Sequence, residues 1–201
     1  TSSANALGAS ETGTDTFTFL VSDGTTTTSS TIIFTVNGVN DAPTINQTTS
    51  NDFTEDSTSV GATVGVFDVD DTETADGSLS VAITSGNDNS YYAISYNSAG
   101  TATVTLTTAG ANYVNAGNDL PSYTVTVTDG NAATATASHN PSVTTVNDAP
   151  TVVNDTDSVT EGGTVQDTGG QGTVLSDDSD EEGNTLSVSG TVTHTASDGS
   201  S

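Results

Sequence analysis

Twenty-six acidic side chains share this 201-residue chain with no lysine and no arginine, so its formal charge of −26 has no internal counter-ion. Two like charges about 4 Å apart repel by roughly 4 kcal/mol at an effective dielectric near 20, and by about 1 kcal/mol in bulk water. A folded domain tolerates a few such pairs, not dozens. The acids are also gathered rather than spread. Asp68, Asp70 and Asp71 form one run, and Asp177, Asp178, Asp180, Glu181 and Glu182 form another. Clustered carboxylates without basic partners point to bound divalent cations, each neutralising several of them. The same charge argues against nucleic acid as a partner, because phosphate binding leans on Lys and Arg.

Hydrophobic residues make up 31% of the chain, a share that leans towards disorder. Two-residue periodicity overrides that reading. Phe17, Phe19 and Val21, then Leu79, Val81 and Ile83, then Ala102, Val104 and Leu106, then Tyr123, Val125 and Val127 each alternate mainly with small or hydroxyl residues. Such runs predict strands buried on one face. No comparable helical period is present, and the chain reads as all-β. It has no Cys, which removes disulfides and thiolate metal sites and leaves metal binding as a staple. No apolar run approaches the length of a membrane span and no signal peptide opens the chain. The segment is expected to come from the interior of something longer or from a processed protein.

The main internal landmark is a repeated linker. Val39-Asn40-Asp41-Ala42-Pro43 recurs as Val146-Asn147-Asp148-Ala149-Pro150, with Asn147 lying 107 positions after Asn40. A repeat of that length is a whole domain. The Pro ends the preceding strand and forces an extended entry into the next. Ser22-Asp23-Gly24 and Thr128-Asp129-Gly130 precede the two linkers in step, while Glu55 and Glu161 follow them in step. This register predicts a complete domain over 42–148. Residues 1–41 read as the C-terminal half of a preceding domain, and 149–201 as the N-terminal half of a following one. Two arrangements satisfy the halves. Either the chain is a window on a tandem array, or residues 1–41 of one copy complete 149–201 of a neighbour by strand donation.

These landmarks together resemble the cadherin-like repeats of large bacterial surface adhesins, the VCBS and RTX-adhesin type. The Val-Asn-Asp-Ala-Pro linkers, Glu55 and Glu161, the Asp-x-Asp in Phe67-Asp68-Val69-Asp70-Asp71, and the Asp-Gly pairs at 23 and 129 carry the resemblance. It implies tandem Greek-key, Ig-like β-sandwiches of seven strands with Ca2+ at each junction. On that pattern Asn40, Asp41, Asp68, Asp70 and Asp129 form the first junction. Glu55, Asn147, Asp148, Asp178 and Asp180 form the second, and Asp23 and Glu161 serve junctions further out. Cadherins carry an Asp-Arg-Glu triplet before the penultimate strand, where this chain has Asn112 to Asp119 without it. Calcium chemistry suits the residue types, since the ion takes six to eight oxygens from carboxylates, amides and carbonyls.

Simpler roles stand beside these. Asn-Asp before Pro and Asp-Gly at a strand end are also ordinary turn chemistry. Asp71, Glu73 and Asp76 read as loop acids, one of which could complete a cage. His139 and His194 are isolated and read as surface or strand-face residues. Thr-rich strands such as Thr101 to Thr107 raise ice binding and Tyr91, Tyr92 and Tyr96 a sugar platform, but Thr suits a solvent-facing strand and Tyr a sandwich core or its edge. Without Cys, Lys, Arg, a phosphate loop or a His-based metal triad, no enzyme chemistry is expected. The expected function is mechanical: a calcium-stiffened segment of an extracellular bacterial cell-surface adhesin or filament, supporting adhesion and biofilm formation. Its partners are neighbouring repeats or identical subunits in a head-to-tail array, with no membrane insertion. The alternatives are a filament subunit that polymerises by strand donation, and a glycan- or ice-binding module.

Overall fold

A computed structural model describes residues 7–155 and 174–189. The chain divides into two compact units, Thr1–Thr145 and Val146–Ser201. The first unit opens with a hairpin of β1 (Thr12–Ser22) and β2 (Thr27–Asn37). Nine strands follow: β3 (Thr44–Ser50), β4 (Phe53–Thr54), β5 (Thr63–Asp70), β6 (Ser80–Ser85), β7 (Tyr92–Tyr96), β8 (Thr101–Leu106), β9 (Tyr123–Thr128), β10 (Thr134–His139) and β11 (Val143–Thr144). They build one sheet in the order β3-β5-β8-β7 and a second in the order β10-β9-β6, with β4 and β11 joined in a short parallel pair. The chain passes from one sheet to the other between β5 and β6, β6 and β7, and β8 and β9. Seven of these nine strands, all but β4 and β11, form the Greek-key sandwich that the resemblance implies. Among the described residues, no helix is long and apolar enough to cross a membrane.

The core lies between the two sheets, and strand alternation fills it. Along β8, Ala102, Val104 and Leu106 are buried while Thr101, Thr103 and Thr105 are half-buried. Along β9, Tyr123, Val125 and Val127 are buried in the same way. Each fully buried Val or Leu contributes about 1.5–3 kcal/mol, so the period-2 pattern carries most of the sandwich's stability. Tyr123 is its centre. Its ring meets Tyr92 at 4.6 Å, His139 at 5.8 Å and Phe67 at 6.3 Å between centroids. Burial pushes the phenols of Tyr92 and Tyr123 well above their ordinary range, so both stay neutral. Gly65 makes room for this packing, because a Cβ there would lie 2.7 Å from the Tyr123 hydroxyl.

Two features depart from the sequence expectation. The seven-residue helix α1 (Thr108–Val114) interrupts the all-β pattern between β8 and β9. The Thr107 side chain caps it by accepting the Gly110 N–H at 3.1 Å. Seven residues make about two turns. Only Gly110, Ala111 and Val114 are buried from it, too few positions to form a readable period. The second departure concerns β1, where Phe17, Phe19 and Val21 are expected to be buried. They are 52%, 47% and 54% exposed, because among the described residues β1 and β2 form a sheet of two strands with no opposing layer.

Equivalent-looking aromatics therefore have unequal energetic weight. Phe67→Ala is expected to destabilise the sandwich by about 3–5 kcal/mol through lost burial and a residual cavity. Phe19→Ala is expected to change stability by no more than about 0.5 kcal/mol. Urea unfolding followed by tyrosine fluorescence checks both, since the chain has no Trp.

Candidate metal centre

The first linker runs from the hairpin into β3, and two segments of the first unit converge on it. The Asn40 side-chain amide donates to Asp129 Oδ2 at 2.7 Å, while Asn40 Oδ1 accepts from the amide of Asn131. The Asp41 backbone N–H donates to Glu73 Oε2 at 3.1 Å. Asp71 Oδ1 in turn accepts the backbone N–H groups of Glu73 at 3.0 Å and Thr74 at 2.6 Å. Asn40, Asp41, Asp71, Glu73, Asp129 and Asn131 thus form one hydrogen-bonded cluster.

Local sequence explains each placement. β5 commits Phe67 and Val69 to the core, which turns Asp68 and Asp70 outward by alternation. The strand ends at Asp70, and the Asp71 carboxylate folds the next residues into a tight turn that carries Glu73 back to the linker. Between β9 and β10, Asp129 Oδ1 accepts the N–H groups of Asn131 at 2.9 Å and Ala133 at 2.8 Å. That turn leaves Asp129 Oδ2 facing Asn40.

The electrostatics are one-sided. The hydrogen bond from Asn40, with those from the turn backbone, holds the Asp129 carboxyl below its ordinary value of 3.8. Asp71 Oδ2 and Glu73 Oε1 are buried with no hydrogen-bond partner. Leaving a buried carboxylate oxygen unsatisfied costs on the order of 1–3 kcal/mol or more. A cluster of oxygen donors, two of them orphaned and none with a basic neighbour, fits a hard divalent cation such as Ca2+.

The remaining predicted residues take varied positions. Asp68 stands on the outer face of β5 opposite Asn46, and Asp70 Oδ1 accepts the Asp71 N–H at 2.9 Å. Neither is hydrogen-bonded to the linker by its side chain. Asp23 shapes the β1–β2 turn by accepting the N–H groups of Thr25 at 2.8 Å and Thr26 at 2.7 Å, which hold its carboxyl below the ordinary range. Glu55 is buried just beyond β4, its N–H donating to Thr144 O at 3.0 Å, so it lies beside the residues that lead into the second linker. Glu161 and His194 lie outside the described residues.

The second unit repeats the motif internally. Asp148 N–H donates to Glu182 Oε1 at 2.8 Å, as Asp41 does to Glu73. Asn147 Oδ1 accepts from the Asn184 amide at 3.3 Å, and Asp180 Oδ1 accepts the Asn184 N–H at 2.9 Å. Asp178 Oδ1 accepts the Val153 N–H at 2.7 Å. Thr151 bridges Ser179 as Thr44 pairs with Asp70, so Asp180 and Glu182 occupy the places of Asp71 and Glu73. The sequence reads Asp71 and Glu73 as loop acids, one of which could complete a cage, and does not single out Asn131, Glu182 or Asn184. A signal was present: the Asp71-x-Glu73 spacing recurs as Asp180-x-Glu182, 109 positions later.

Two outcomes follow from this geometry. The folded state favours ionised Asp129, so its stabilising contribution is present above 3.8 and is lost as pH falls through its lower folded value. In chelator, Asp129→Asn is expected to shrink the difference in stability between about pH 6 and about pH 3, measured by urea unfolding. Gly117 has φ +67°, and a Cβ there would lie 2.7 Å from Glu55 Oε1. Gly117→Ala is expected to lower the melting temperature by several degrees, corresponding to a loss above about 1 kcal/mol.

The chain matches no protein-family profile, and no curated protein matches it in sequence. Solved structures do match. Extracellular cadherin domains 1–5 of protocadherin gamma B2 align with TM-score 0.51 and 12% identity, over 69% of this chain and 26% of that one. Domains EC3–6 of protocadherin gamma B7, solved as a cis-dimer, align with TM-score 0.45 and 16% identity over 67% and 33%. The human desmocollin-1 ectodomain aligns with TM-score 0.41 and 15% identity over 65% and 26%. The chain spans about a quarter to a third of the length of these three. On the gamma B2 alignment, the fold is a cadherin-like, Ig-like β-sandwich.

Proposed function

We propose that this chain is a calcium-rigidified structural segment of an extracellular adhesin or filament, of the bacterial VCBS or RTX-adhesin type, which spaces domains and supports adhesion and biofilm formation. One observation carries the reading. The repeated chemistry of the two linkers is matched by the same carboxylate geometry in each unit, with Asp41 N–H on Glu73 and Asp148 N–H on Glu182. The domain organisation proposed with it is a complete sandwich over 42–148 flanked by the partial repeats 1–41 and 149–201. A non-enzymatic role accords with a site made of carboxylates and amides and with a cadherin-like fold.

Asn40, Asp41, Asp71, Glu73 and Asp129 would hold calcium at the first linker, with Asp68 and Asp70 lending charge from the adjoining strand. Asn147, Asp148, Asp178, Asp180 and Glu182 would do so at the second, to which the resemblance to adhesin repeats also assigns Glu55. Asp23 and Glu161 would serve further junctions. When bound, the ion supplies the positive charge that the chain lacks. The chain's own contribution is orientation: Asx turns at Asp71 and Asp129 hold the carboxylates before any ion arrives, which reduces the ordering cost of binding.

Extracellular calcium modules bind at about 0.1–1 mM, and a hundredfold excess over Kd adds about 2.7 kcal/mol of stability per site. Saturating calcium is therefore expected to raise the melting temperature by about 10 °C over chelator. Equilibrium dialysis is expected to show reduced calcium stoichiometry in the Asp71→Asn/Glu73→Gln variant, which keeps the acceptor oxygens and removes the charge. Identical melting with and without calcium, and no bound ion, would overturn the proposal.

A further inference from the structure

The β1–β2 hairpin carries an apolar face that nothing covers among the described residues. Phe17 lies opposite Ile32 and Asp15 opposite Phe34, so alternation puts Phe17, Phe19, Val21, Ile32 and Phe34 on one face. All five are roughly half exposed, between 45% and 54%, with Phe17 and Phe34 in edge-on contact at 5.6 Å. The other face is mainly Thr and Ser. A two-stranded hairpin is marginal alone, and a contiguous apolar patch of this kind marks an interface.

Internal repetition identifies what belongs on the open edge of that hairpin. Phe17, Phe19 and Val21 before Ser22-Asp23-Gly24 correspond to Tyr123, Val125 and Val127 before Thr128-Asp129-Gly130, each 106 positions on. In the sandwich, β9 is paired on both edges, with β10 and with β6, and its three residues are at most 1% exposed. Among the described residues, β1 is paired on one edge only, with β2. The absent neighbour is a β6-like strand. Leu79-Ser80-Val81, which enters β6, recurs as Leu186-Ser187-Val188, 107 positions later. Residues 183–189 form no strand, and Val188 is 49% exposed.

We propose that a second copy of this chain supplies that strand. Residues 186–189 of one copy add to the open edge of β1 in another, in the register that β6 uses on β9. Val81 faces Val127 there, so Val188 faces Val21. The contact continues an interface that the sandwich already builds within itself. Strand addition pairs the free N–H and C=O groups along the β1 edge and sets Val188 beside Val21. Only Asp15 brings charge onto the apolar face, so screening the remaining acids favours assembly. The hairpin and the donated segment are different surfaces, which makes the contact heterologous and the assembly open-ended. It does not rest on calcium binding.

Light scattering on the full chain, in chelator and about 0.5 M salt, tests it independently of the ion. The wild-type mass is expected to grow with concentration beyond a dimer. Val21→Asp and Val188→Asp are each expected to be monomeric alone, and to form a dimer and nothing larger when mixed. In that mixture only one intact hairpin meets one intact donor segment. Both substitutions lie outside the sandwich, and unchanged far-ultraviolet circular dichroism confirms folding. A wild type that stays monomeric at hundreds of micromolar, because other sequence covers the hairpin, overturns the proposal. So does assembly indifferent to either substitution, or a mixture that stays monomeric.

Discussion

A chain with no cationic side chain must satisfy its carboxylates with backbone N–H groups, and that constraint shapes nearly every turn described here. Asp23, Asp52, Asp71, Asp129, Asp178 and Asp180 each accept at least one main-chain N–H. Such bonds to an ionised acceptor are stronger than those between neutral groups. They also hold the Asp23 and Asp52 carboxyls below their ordinary range, as the Asn40 side-chain amide does, with such bonds, at Asp129. The acids consequently act as turn-formers first. Where the supply of N–H groups runs out, as at Asp71 Oδ2 and Glu73 Oε1, an unsatisfied negative edge remains beside the linker.

The sandwich and the linker cluster depend on one another through β5. Its inward residues Phe67 and Val69 anchor the strand in the core, and the turn that follows is therefore delivered to a fixed place. β9 does the same for Asp129, since Tyr123, Val125 and Val127 lock the strand that ends at that turn. The apolar period thus positions the polar cluster although none of the cluster's residues is apolar. The hairpin β1–β2 has the same period without an opposing sheet among the described residues, and there the same kinds of side chain are exposed.

Much of this was legible in the chain because the signals are local. The half-buried strands follow from alternation in β6, β8 and β9, and the linker chemistry from a repeated pentapeptide. The short helix α1 was not legible, because about two turns bury too few side chains to make a period. Asp71 and Glu73 passed for loop acids because their role depends on meeting Asp41, thirty-odd residues earlier in the chain. Asn131 and Asn184 carry no signature at all until the turns that hold them are folded.

Sequence alone decided the strand-forming alternation, the lack of any cationic partner, the repeat of the linker at a domain's length, and the oxygen-only donor chemistry. These are properties of residue identity and near-neighbour spacing. Only tertiary structure decided which carboxylates converge, which are consumed by their own turns, and which apolar strands find an opposing layer. Convergence and burial depend on the register between strands far apart in the chain. A register shift of one residue exchanges core for solvent without altering a single local pattern.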